Sequence, residues 1–487
     1  MISESSASSN NSILVWLRKD LRLRDHPAFH AAILEGKPIL PVYIWDPEEG
    51  GQWSPGAASR WWLHHALYSL SKDIQKLGGA LILKKGKAAE VLPSLAKEHN
   101  INKIFYSRAY DPPGIATQEA VENALDPAGI DSESFNASLL HEPWETKNGT
   151  GKPFQVFTPY WRKSREVIYR EPAKYPLSKL SFVSPKECPS PVQDLGLLPH
   201  HSWHQKLEDH WNVSEDAAHV QLDRTVNEVT KSYATRRNNP SVDGTSRLSP
   251  YLAWGLISPR QICQAVLQSE SEGSHRGENK YLVEIGWREF SYHLLYHFPS
   301  LPDQPLRAKY ASFPWIEDKA NLGRWQFGNT GYPMVDAGMR QLYETGWMHN
   351  RVRMVVASFL VKHLLLSWND GARWFWDTLV DADLASNTQG WQWAAGCGAD
   401  AAPYFRIFNP ITQGEKFDTR GEYARRWIPP LEKLPNKWVF RPWEAPADIL
   451  ESSGLDLGGN YPEPCIEHTE GRTRALAALA TLKNIQP

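Results

Sequence analysis

The first 140 residues alternate between short apolar segments and longer segments with helical periodicity. No other feature restricts the architecture of the chain as strongly. The apolar segments are 12–17, 38–45, 80–86 and 103–108, and the helical segments are 26–36, 57–79, 88–100 and 116–125. Strands that alternate with helices form a parallel sheet with helices on both faces. We therefore predict an α/β domain with a doubly wound parallel sheet over residues 12–140.

The pattern changes after residue 140. Prolines and short apolar pieces dominate residues 141–214, which predicts a long connector that lies over the surface of a neighbouring domain. Helical periodicity dominates residues 215–487, and a closing helix is expected at "RTRALAALATL". The second domain is therefore predicted to be all-α. Residues 1–11 have the composition of a disordered segment.

Composition excludes several classes of protein. The 487 residues suffice for two or more domains, and 41% hydrophobic with 22% charged residues is typical of a soluble globular protein. No apolar run approaches the roughly 20 residues of a membrane span, and no signal peptide is recognisable. We expect a cytoplasmic protein without membrane contact. The four cysteines lie far apart without a C-x-x-C motif, so neither a disulfide framework nor a metal site is predicted.

Charge and tryptophan content bear on possible partners. The net charge is −2, so a nucleic acid would have to bind a local basic face. The chain contains 22 tryptophans. Most should be packed in cores, but indole rings also stack on flat ligands and can be oxidised by one electron.

The segment "DADLASNTQGWQW" (381–393) combines acids, an amide and two indoles. Interpreted as a helix, it places Asp383, Asn387 and Trp391 on one face at i, i+4 and i+8. That face suits a flat polar ligand, whereas Asp381 and Trp393 would project elsewhere.

The two acids of this segment also form a D-x-D motif, which in other proteins can bind Mg²⁺. On a helix, however, positions i and i+2 diverge. We therefore favour an arginine partner for Asp381 over a metal, and Arg353 is the candidate.

Two further motifs allow a structural and a functional interpretation. Thr245, Ser246 and Ser249 surround Arg247 before an apolar run, which is typical either of a helix N-cap or of a phosphate cradle. Glu284 and Arg288 are spaced i, i+4 and could form a solvated helix face or hold a carboxylate near a ligand.

A third motif, "TGWMHNRVRM", places Asn350 and Met354 at i, i+4 on a helix. This spacing occurs in any amphipathic helix. The amide could also pair with a base edge, and the thioether could provide a soft contact.

Taken together, these stretches resemble the photolyase/cryptochrome family. The motifs that carry the resemblance are "RKDLRLRDHPA", "DGTSRLSPYLAWGLISPRQ", "WREF", "TGYPMVDAGMRQL", "GWMHNRVRM", "DADLASNTQGWQWAAGCGADAAPYFRIFNP" and "GEKFD". They occur in the family's order over residues 12–480. The sequence is most similar to microbial photolyases that repair cyclobutane pyrimidine dimers.

The resemblance implies an antenna-binding α/β domain (12–140), an inter-domain linker (141–214) and a helical domain (215–487) that binds FAD and DNA. It assigns to FAD binding Tyr233, Thr245, Ser246, Arg247, Leu248, Ser249, Tyr281, Glu284, Arg288, Asn350, Arg353, Asp381, Asp383 and Asn387. Asn387 would face the reactive ring nitrogen of the flavin. The antenna would be 5,10-methenyltetrahydrofolate near Tyr110 and Asp111, where one folate-binding branch has an Asn–Glu pair.

The same resemblance implies a substrate site and an electron pathway. Trp287 and Trp393 would flank a flipped-out thymine dimer, Glu284 and Asn350 would bind its base edges, and Met354 would contact its ring face. Electrons would reach the flavin through Trp391, Trp368 and Trp315. The residues expected to bind DNA phosphates are Arg236, Arg237, Arg351, Arg406 and Lys416.

The implied function is light-driven repair of UV-damaged DNA by a monomer. The alternatives are a cryptochrome-type blue-light receptor and a (6-4) photolyase. The pair His349–Asn350 differs from the double histidine typical of (6-4) photolyases. Asn387, where some signalling members have Asp, and the short segment after the closing helix also favour repair of cyclobutane dimers.

Overall fold

The computed structural model describes residues 12–165, 170–184, 189–198, 201–269, 275–400 and 405–482. The predicted disordered residues 1–11, and also Cys188, lie outside this description. The strands are β1 (Ile13–Leu17), β2 (Ile39–Trp45), β3 (Ile82–Lys85), β4 (Lys103–Ser107) and β5 (Asp131–Phe135). They form one parallel sheet in the order β3-β2-β1-β4-β5. The predicted doubly wound α/β domain is confirmed.

The central strand β1 shows why its sequence is apolar throughout. Ile13, Val15 and Leu17 point into one hydrophobic core, while Leu14 and Trp16 point into the core on the opposite face. All five residues of the strand are buried. A parallel strand covered on both faces needs apolar residues at every position, because neither face meets water.

Sequence patterns placed the helices of this domain well but missed its last strand. The helices are α1 (Pro27–Leu34), α2 (Ala57–Lys76), α3 (Ala88–Glu98) and α4 (Pro112–Leu125). The last begins four residues before the predicted start, and Asp111 caps it by accepting a hydrogen bond from the Gly114 amide at 2.9 Å. Strand β5, "DSESF", was not predicted because it is a largely exposed edge strand without an apolar run.

The connector contacts both halves of the chain. Its helix α5 (Phe157–Ser164) packs on the helical domain. Farther along, Ser181 accepts a hydrogen bond from the Ile39 amide at 2.8 Å, and the Val183 amide donates to the Ile39 carbonyl at 2.9 Å. The connector thus extends the hydrogen bonding of the sheet beside β2.

The remaining described residues are mainly helical, as predicted. The helices are α6 (Glu215–Arg224), α7 (Thr230–Arg236), α8 (Ser249–Ala253), α9 (Pro259–Ser269), α10 (His275–His297), α11 (Lys319–Gln326), α12 (Pro333–Thr345), α13 (Asn350–Ser358), α14 (Trp368–Thr378), α15 (Leu384–Ala395), α16 (Pro410–Phe417), α17 (Glu422–Trp427), α18 (Ala447–Ser453) and α19 (His468–Thr481). Within the described ranges, no helix is both long and apolar enough to cross a bilayer. The domain boundaries at 140 and 214 stay predictions.

The two domains meet through buried polar contacts. The Arg22 guanidinium is fully buried and donates to the carbonyls of Asp25, Ala137 and Gly255, the last at 2.9 Å. Gly255 has a φ of +68°, and a Cβ there would lie 2.1 Å from the Lys19 carbonyl oxygen. Only glycine allows this close approach of the two backbones. The interface therefore holds the carboxyl ends of the strands against the helical domain.

Candidate functional site

A cavity of about 510 Å³ opens between helices α10, α13, α14 and α15 of the helical domain. Its walls bring together residues that the sequence places far apart. The predicted site residues that line it are Arg237, Ser249, Glu284, Trp287, Arg288, Asn350, Arg351, Arg353, Met354, Asp381, Asp383, Asn387, Trp391 and Trp393.

The segment 381–383 has a different conformation from the one predicted. Helix α15 begins at Leu384, and Asp383 is its N-cap with an extended backbone; its Oδ1 accepts from the Ser386 amide at 2.8 Å. The interpretation of 381–393 as one helix is therefore wrong at its start, because an N-cap aspartate satisfies the free amides of the first turn best from outside the helix. Asp381 and Asp383 nevertheless both line the cavity.

The predicted ion pair between Arg353 and Asp381 is present. Arg353 Nη2 lies 3.1 Å from Oδ1 and 2.8 Å from Oδ2 of Asp381. The Ser249 hydroxyl donates to the same carboxylate at 2.6 Å, and Arg353 Nε donates to the Met348 carbonyl at 2.7 Å. A buried carboxylate with a cation and a hydroxyl as partners keeps a fixed orientation.

Arg288 connects the cavity to the α/β domain. Its Nη1 donates to the Ser138 carbonyl at 2.9 Å and to Glu289 Oε1 at 3.1 Å. Glu289 accepts from the Leu140 amide at 2.8 Å, and burial raises the pKa of this carboxyl to about 7. The guanidinium is thus anchored by the segment that follows β5 before any ligand binds.

Asn387 and Trp391 lie on the wall that α15 forms with α14. Asn387 Nδ2 donates to the Ala372 carbonyl at 3.0 Å, which leaves the amide oxygen to face other partners. Trp391 is 2% exposed and packs on Gly371, where a Cβ would lie 2.1 Å from Cη2 of the indole. A glycine at this point of α14 is what allows the indole to lie against the helix backbone.

The other two tryptophans of the predicted electron pathway lie on adjacent segments. Trp368 is buried and begins α14, three residues before Gly371. Trp315 is half-buried, and the Ile316 amide next to it donates to the Leu365 carbonyl at 3.0 Å. The structure also places Trp325, which sequence reasoning did not select, with its ring centre 6.0 Å from that of Trp391.

The mouth of the cavity combines aromatic and charged side chains. Trp287 stacks on Phe157 of α5, with ring centres 3.8 Å apart and planes within 8°. Glu284 forms an ion pair with Arg237, so two residues predicted to contact different parts of DNA contact each other here. Trp393 lies near Phe408, with ring centres 6.4 Å apart. The connector therefore supports one aromatic wall of the mouth, a role its sequence did not indicate.

Comparisons with known proteins agree with this arrangement. Residues 13–177 match the family model of DNA photolyase, and residues 281–481 match that of the FAD binding domain of DNA photolyase. Deoxyribodipyrimidine photo-lyase of Agrobacterium fabrum is 44% identical over 97% of this chain and 98% of its own length. The chain belongs to the photolyase/cryptochrome family.

Other members of the family are similar over nearly the whole chain. The crystal structure of a bacterial class III photolyase from Agrobacterium tumefaciens has a TM-score of 0.93 and 44% identity, covering 99% of this chain and 100% of that one. Cryptochrome-1 of Arabidopsis thaliana is 36% identical over 99% of this chain and 72% of its own length. The cavity lies largely within the residues that match the FAD-binding domain of the family, so this photolyase-family chain has an FAD-binding domain.

The residues predicted to hold the FAD phosphates and ribose lie around helix α8. The N-cap of α8 is Leu248, which is buried and makes no side-chain capping bond, so the interpretation of the Ser/Thr cluster as an N-cap is wrong. Of the residues in the described ranges, those that line the cavity include Ser249 but not Tyr233, Thr245, Ser246, Arg247, Leu248 or Tyr281. Their role in FAD binding stays a prediction.

Three of these residues make contacts with aromatic rings. Arg247 has a φ of +51° and lies with its guanidinium 5.2 Å from the ring centre of Trp347. Tyr233 and Tyr281 form an edge-to-face pair with ring centres 5.3 Å apart.

Several of the predicted DNA-binding residues form a basic cluster beside the mouth. Arg351 donates to Asn238 Oδ1 at 2.8 Å, and burial together with the nearby Arg237 and Arg406 lowers its pKa. Arg406 is exposed, with its guanidinium 4.9 Å from the ring of Phe408. The remaining two candidates, Arg236 and Lys416, are exposed as well.

His349 lies beneath this cluster and stays uncharged. Burial, and then the surrounding arginines, lower its pKa to about 3, and its Nδ1 accepts from the Arg351 amide at 3.1 Å. A neutral histidine adds no positive charge to the cluster at neutral pH. It therefore positions Arg351 without repelling it.

Tyr110 and Asp111, the predicted antenna residues, line a second cavity of about 120 Å³ between the two domains. Asp111 forms an ion pair with Lys19 at 3.1 Å in addition to capping α4. The cavity lies at the carboxyl ends of β1 and β4, which is the usual ligand position of an open parallel sheet.

Proposed function

We propose that this chain is a light-driven deoxyribodipyrimidine photolyase that splits cyclobutane pyrimidine dimers in DNA. The main observation in support of this proposal is that two groups of residues line one cavity. The residues expected to hold the flavin line the same space as those expected to hold the lesion. The first group is Arg288, Arg353, Asp381, Asp383 and Asn387, and the second is Glu284, Trp287, Asn350, Met354 and Trp393.

The chain's own residues would bind and orient the damaged bases. FAD, when bound, reduced and excited by light, supplies the electron that splits the dimer. Trp287 and Trp393 offer flat surfaces for a base that leaves the stack, a step that is easiest for a damaged pair. Glu284 and Asn350 offer hydrogen bonds to its edges, and Met354 offers an apolar contact.

One aromatic wall of the proposed lesion site is in place before the substrate binds. Trp287 is held in place by Phe157, so the wall is rigid before the substrate arrives. A wall that is already in place need not rearrange when charge develops on the dimer. Because Glu284 is paired with Arg237 in this structure, binding of the lesion would replace part of that ion pair.

The proposed electron supply runs from the surface to the flavin through Trp315, Trp368 and Trp391. Support comes from the packing of Trp391 on Gly371, one turn of α14 from Trp368, and from the contact between the Trp315 and Leu365 segments. DNA would be held through its phosphates by Arg236, Arg237, Arg351, Arg406 and Lys416.

We further propose 5,10-methenyltetrahydrofolate as an antenna in the cavity between the domains, near Tyr110 and Asp111. The cations Arg18, Lys19 and Arg108 line this cavity together with several aromatic rings. They would complement a flat pterin that carries glutamyl carboxylates. Release of the chromophore by heat, followed by its absorption spectrum, tests this; a folate-free protein with full FAD content would contradict it.

The decisive experiment for the function is repair of UV-damaged oligothymidine by the purified, reduced flavoprotein. We expect thymine absorbance to recover in blue light and not in darkness. The variant Glu284→Ala removes an expected dimer contact and should lower the repair rate. No recovery by a reducible flavoprotein would move the assignment to (6-4) repair or signalling.

Blue-light signalling is the second candidate, because cryptochrome-1 of Arabidopsis thaliana is 36% identical to this chain. A signalling protein would be photoreduced by light without repairing any lesion. The predicted monomeric state and cytoplasmic location stay predictions.

A further inference from the structure

The segment 382–384 forms a thin wall between the two cavities. Ala382 lines both of them. Asp383 lines the larger cavity of the helical domain, in which the flavin is proposed to bind (the flavin cavity), and Leu384 lines the smaller cavity between the domains (the inter-domain cavity). Tyr292 lines the inter-domain side, yet its hydroxyl donates to Oδ2 of Asp383 through the wall. One hydrogen bond therefore joins side chains that belong to different cavities.

The geometry leaves the Asp383 carboxylate little freedom. Its Oδ1 accepts from the Ser386 amide at 2.8 Å, and its Oδ2 accepts from Tyr292. Tyr292 is 5% exposed and lies one turn after Arg288 on α10, with the guanidinium 4.9 Å from its ring centre. Burial and the Asp383 charge raise the pKa of Tyr292 well above its usual range, so the phenol remains a donor.

A cation approaches the same wall from the α/β domain. Lys19 forms an ion pair with Asp111 at 3.1 Å. Burial lowers the pKa of Lys19, but the carboxylates of Asp111 and Asp383 outweigh burial and raise it. On the inter-domain side, Asp383 therefore has the Tyr292 phenol as a hydrogen-bond donor and Lys19 close enough to interact with its charge.

We propose that Tyr292 is a positioning residue for the flavin: through its hydrogen bond it holds the Asp383 carboxylate in place at the flavin cavity and reduces that group's negative field. This rests on the proposed function, in which the flavin ring lies beside Asp383. A carboxylate deprived of its donor becomes a stronger local anion. Such an anion disfavours the addition of electrons to a neighbouring group.

The test is Tyr292→Phe in the FAD-loaded protein, which removes one hydroxyl and keeps the ring. We expect the two-electron midpoint potential of bound FAD to become more negative by about 30 mV, equivalent to a tenfold change in the equilibrium constant. The visible flavin spectrum should shift, and FAD should bind roughly tenfold more weakly.

The matched control is Tyr106→Phe. Tyr106 also donates its hydroxyl to a carboxylate, that of Glu122, but both residues belong to the α/β domain and neither lines a cavity described above. This variant should leave the flavin potential and spectrum unchanged. If the two variants changed the flavin potential and spectrum equally, the effect of Tyr292→Phe would be a general structural one, and the proposal would be wrong.

A double-mutant cycle with Asp383→Asn tests whether Tyr292 acts through Asp383. In the Asp383→Asn background, Tyr292→Phe should change the potential by much less than in the wild type. An undiminished effect there, or an unchanged potential in the single variant, would contradict the proposal. If the wild-type protein binds FAD but repairs no dimers, the proposed repair function is wrong. The Tyr292 proposal can still be tested in that case, because the potential of the bound FAD is still measurable.

Discussion

Arg353 and Asp381 form a two-point contact at the wall of the flavin cavity, with Nη2 of the arginine 3.1 and 2.8 Å from the two carboxylate oxygens. The Asp381 side chain is 3% exposed, whereas that of Arg353 is 24% exposed. The carboxylate is thus the more deeply buried partner of the pair. This asymmetry makes the pair a sensitive point of the site.

Arg353→Ala should therefore destabilise the flavoprotein strongly. It would leave a buried carboxylate with the Ser249 hydroxyl as its remaining side-chain partner in the described structure, which typically costs about 3–5 kcal/mol. Urea unfolding at pH 7 measures the loss. The double variant Arg353→Ala/Asp381→Asn removes the stranded charge and should lose less; an equal or larger loss would show that charge pairing is not the cause.

Trp391→Phe should abolish photoreduction of oxidised FAD and leave repair intact when the flavin is reduced chemically. The indole is the tryptophan of the proposed pathway that lines the flavin cavity, and phenylalanine is much harder to oxidise. Absorbance under blue light with an external reductant follows the reduction. Trp61→Phe in α2, another buried indole, is the control and should be photoreduced normally. Loss of repair by chemically reduced Trp391→Phe would contradict the assigned role.

The basic cluster predicts a steep salt dependence of DNA binding. Removing one cation that binds a phosphate should make the slope of log affinity against log salt shallower by about 1. Arg406→Ala should therefore reduce the slope and weaken binding of damaged and undamaged DNA alike. Fluorescence anisotropy between low and moderate salt measures this. Lys97→Ala, an exposed lysine on α3 of the α/β domain, should leave the slope unchanged, and a flat dependence in the wild type would contradict phosphate binding.

Lys362 offers a test of pH dependence outside the flavin cavity. It is 1% exposed, its Nζ lies 3.3 Å from the ring centre of Phe405, and burial lowers its pKa to about 7 from an ordinary value of 10.5. Between these two pH values the unfolded chain holds a proton that the folded chain lacks. The contribution of Lys362 to the free energy of unfolding should therefore rise with pH from about 7 to 10.5.

Lys362→Met should remove this dependence and raise the free energy of unfolding at pH 6 by about 1–4 kcal/mol, as for other buried charges replaced by apolar side chains. Denaturant unfolding of both proteins at pH 6, 7.5 and 9 measures the difference. The advantage of the variant should shrink as pH rises. A constant difference across this range would show that Lys362 does not titrate in it.

Local sequence patterns predict some elements of this fold and miss others. Local periodicity was enough to predict β1 and α2. Residues that are close in the sequence show the apolar run of the buried strand and the amphipathic repeat of the helix. Local periodicity failed for β5, whose pairing with β4 depends on an edge position rather than on apolar residues. It also failed for Asp383, where a capping hydrogen bond makes the helix begin at Leu384, later than the side-chain spacing suggests.

The sequence by itself determined the α/β and helical halves, the family motifs and part of the set of residues that line the flavin cavity. Tertiary structure alone decided which side chains meet: Glu284 with Arg237, Trp287 with Phe157, and Tyr292 with Asp383, which is 91 residues away. The physical reason is that periodicity specifies the face on which a residue lies, whereas its partner depends on how separate elements pack. The division of the site into two cavities with one shared wall follows from that packing.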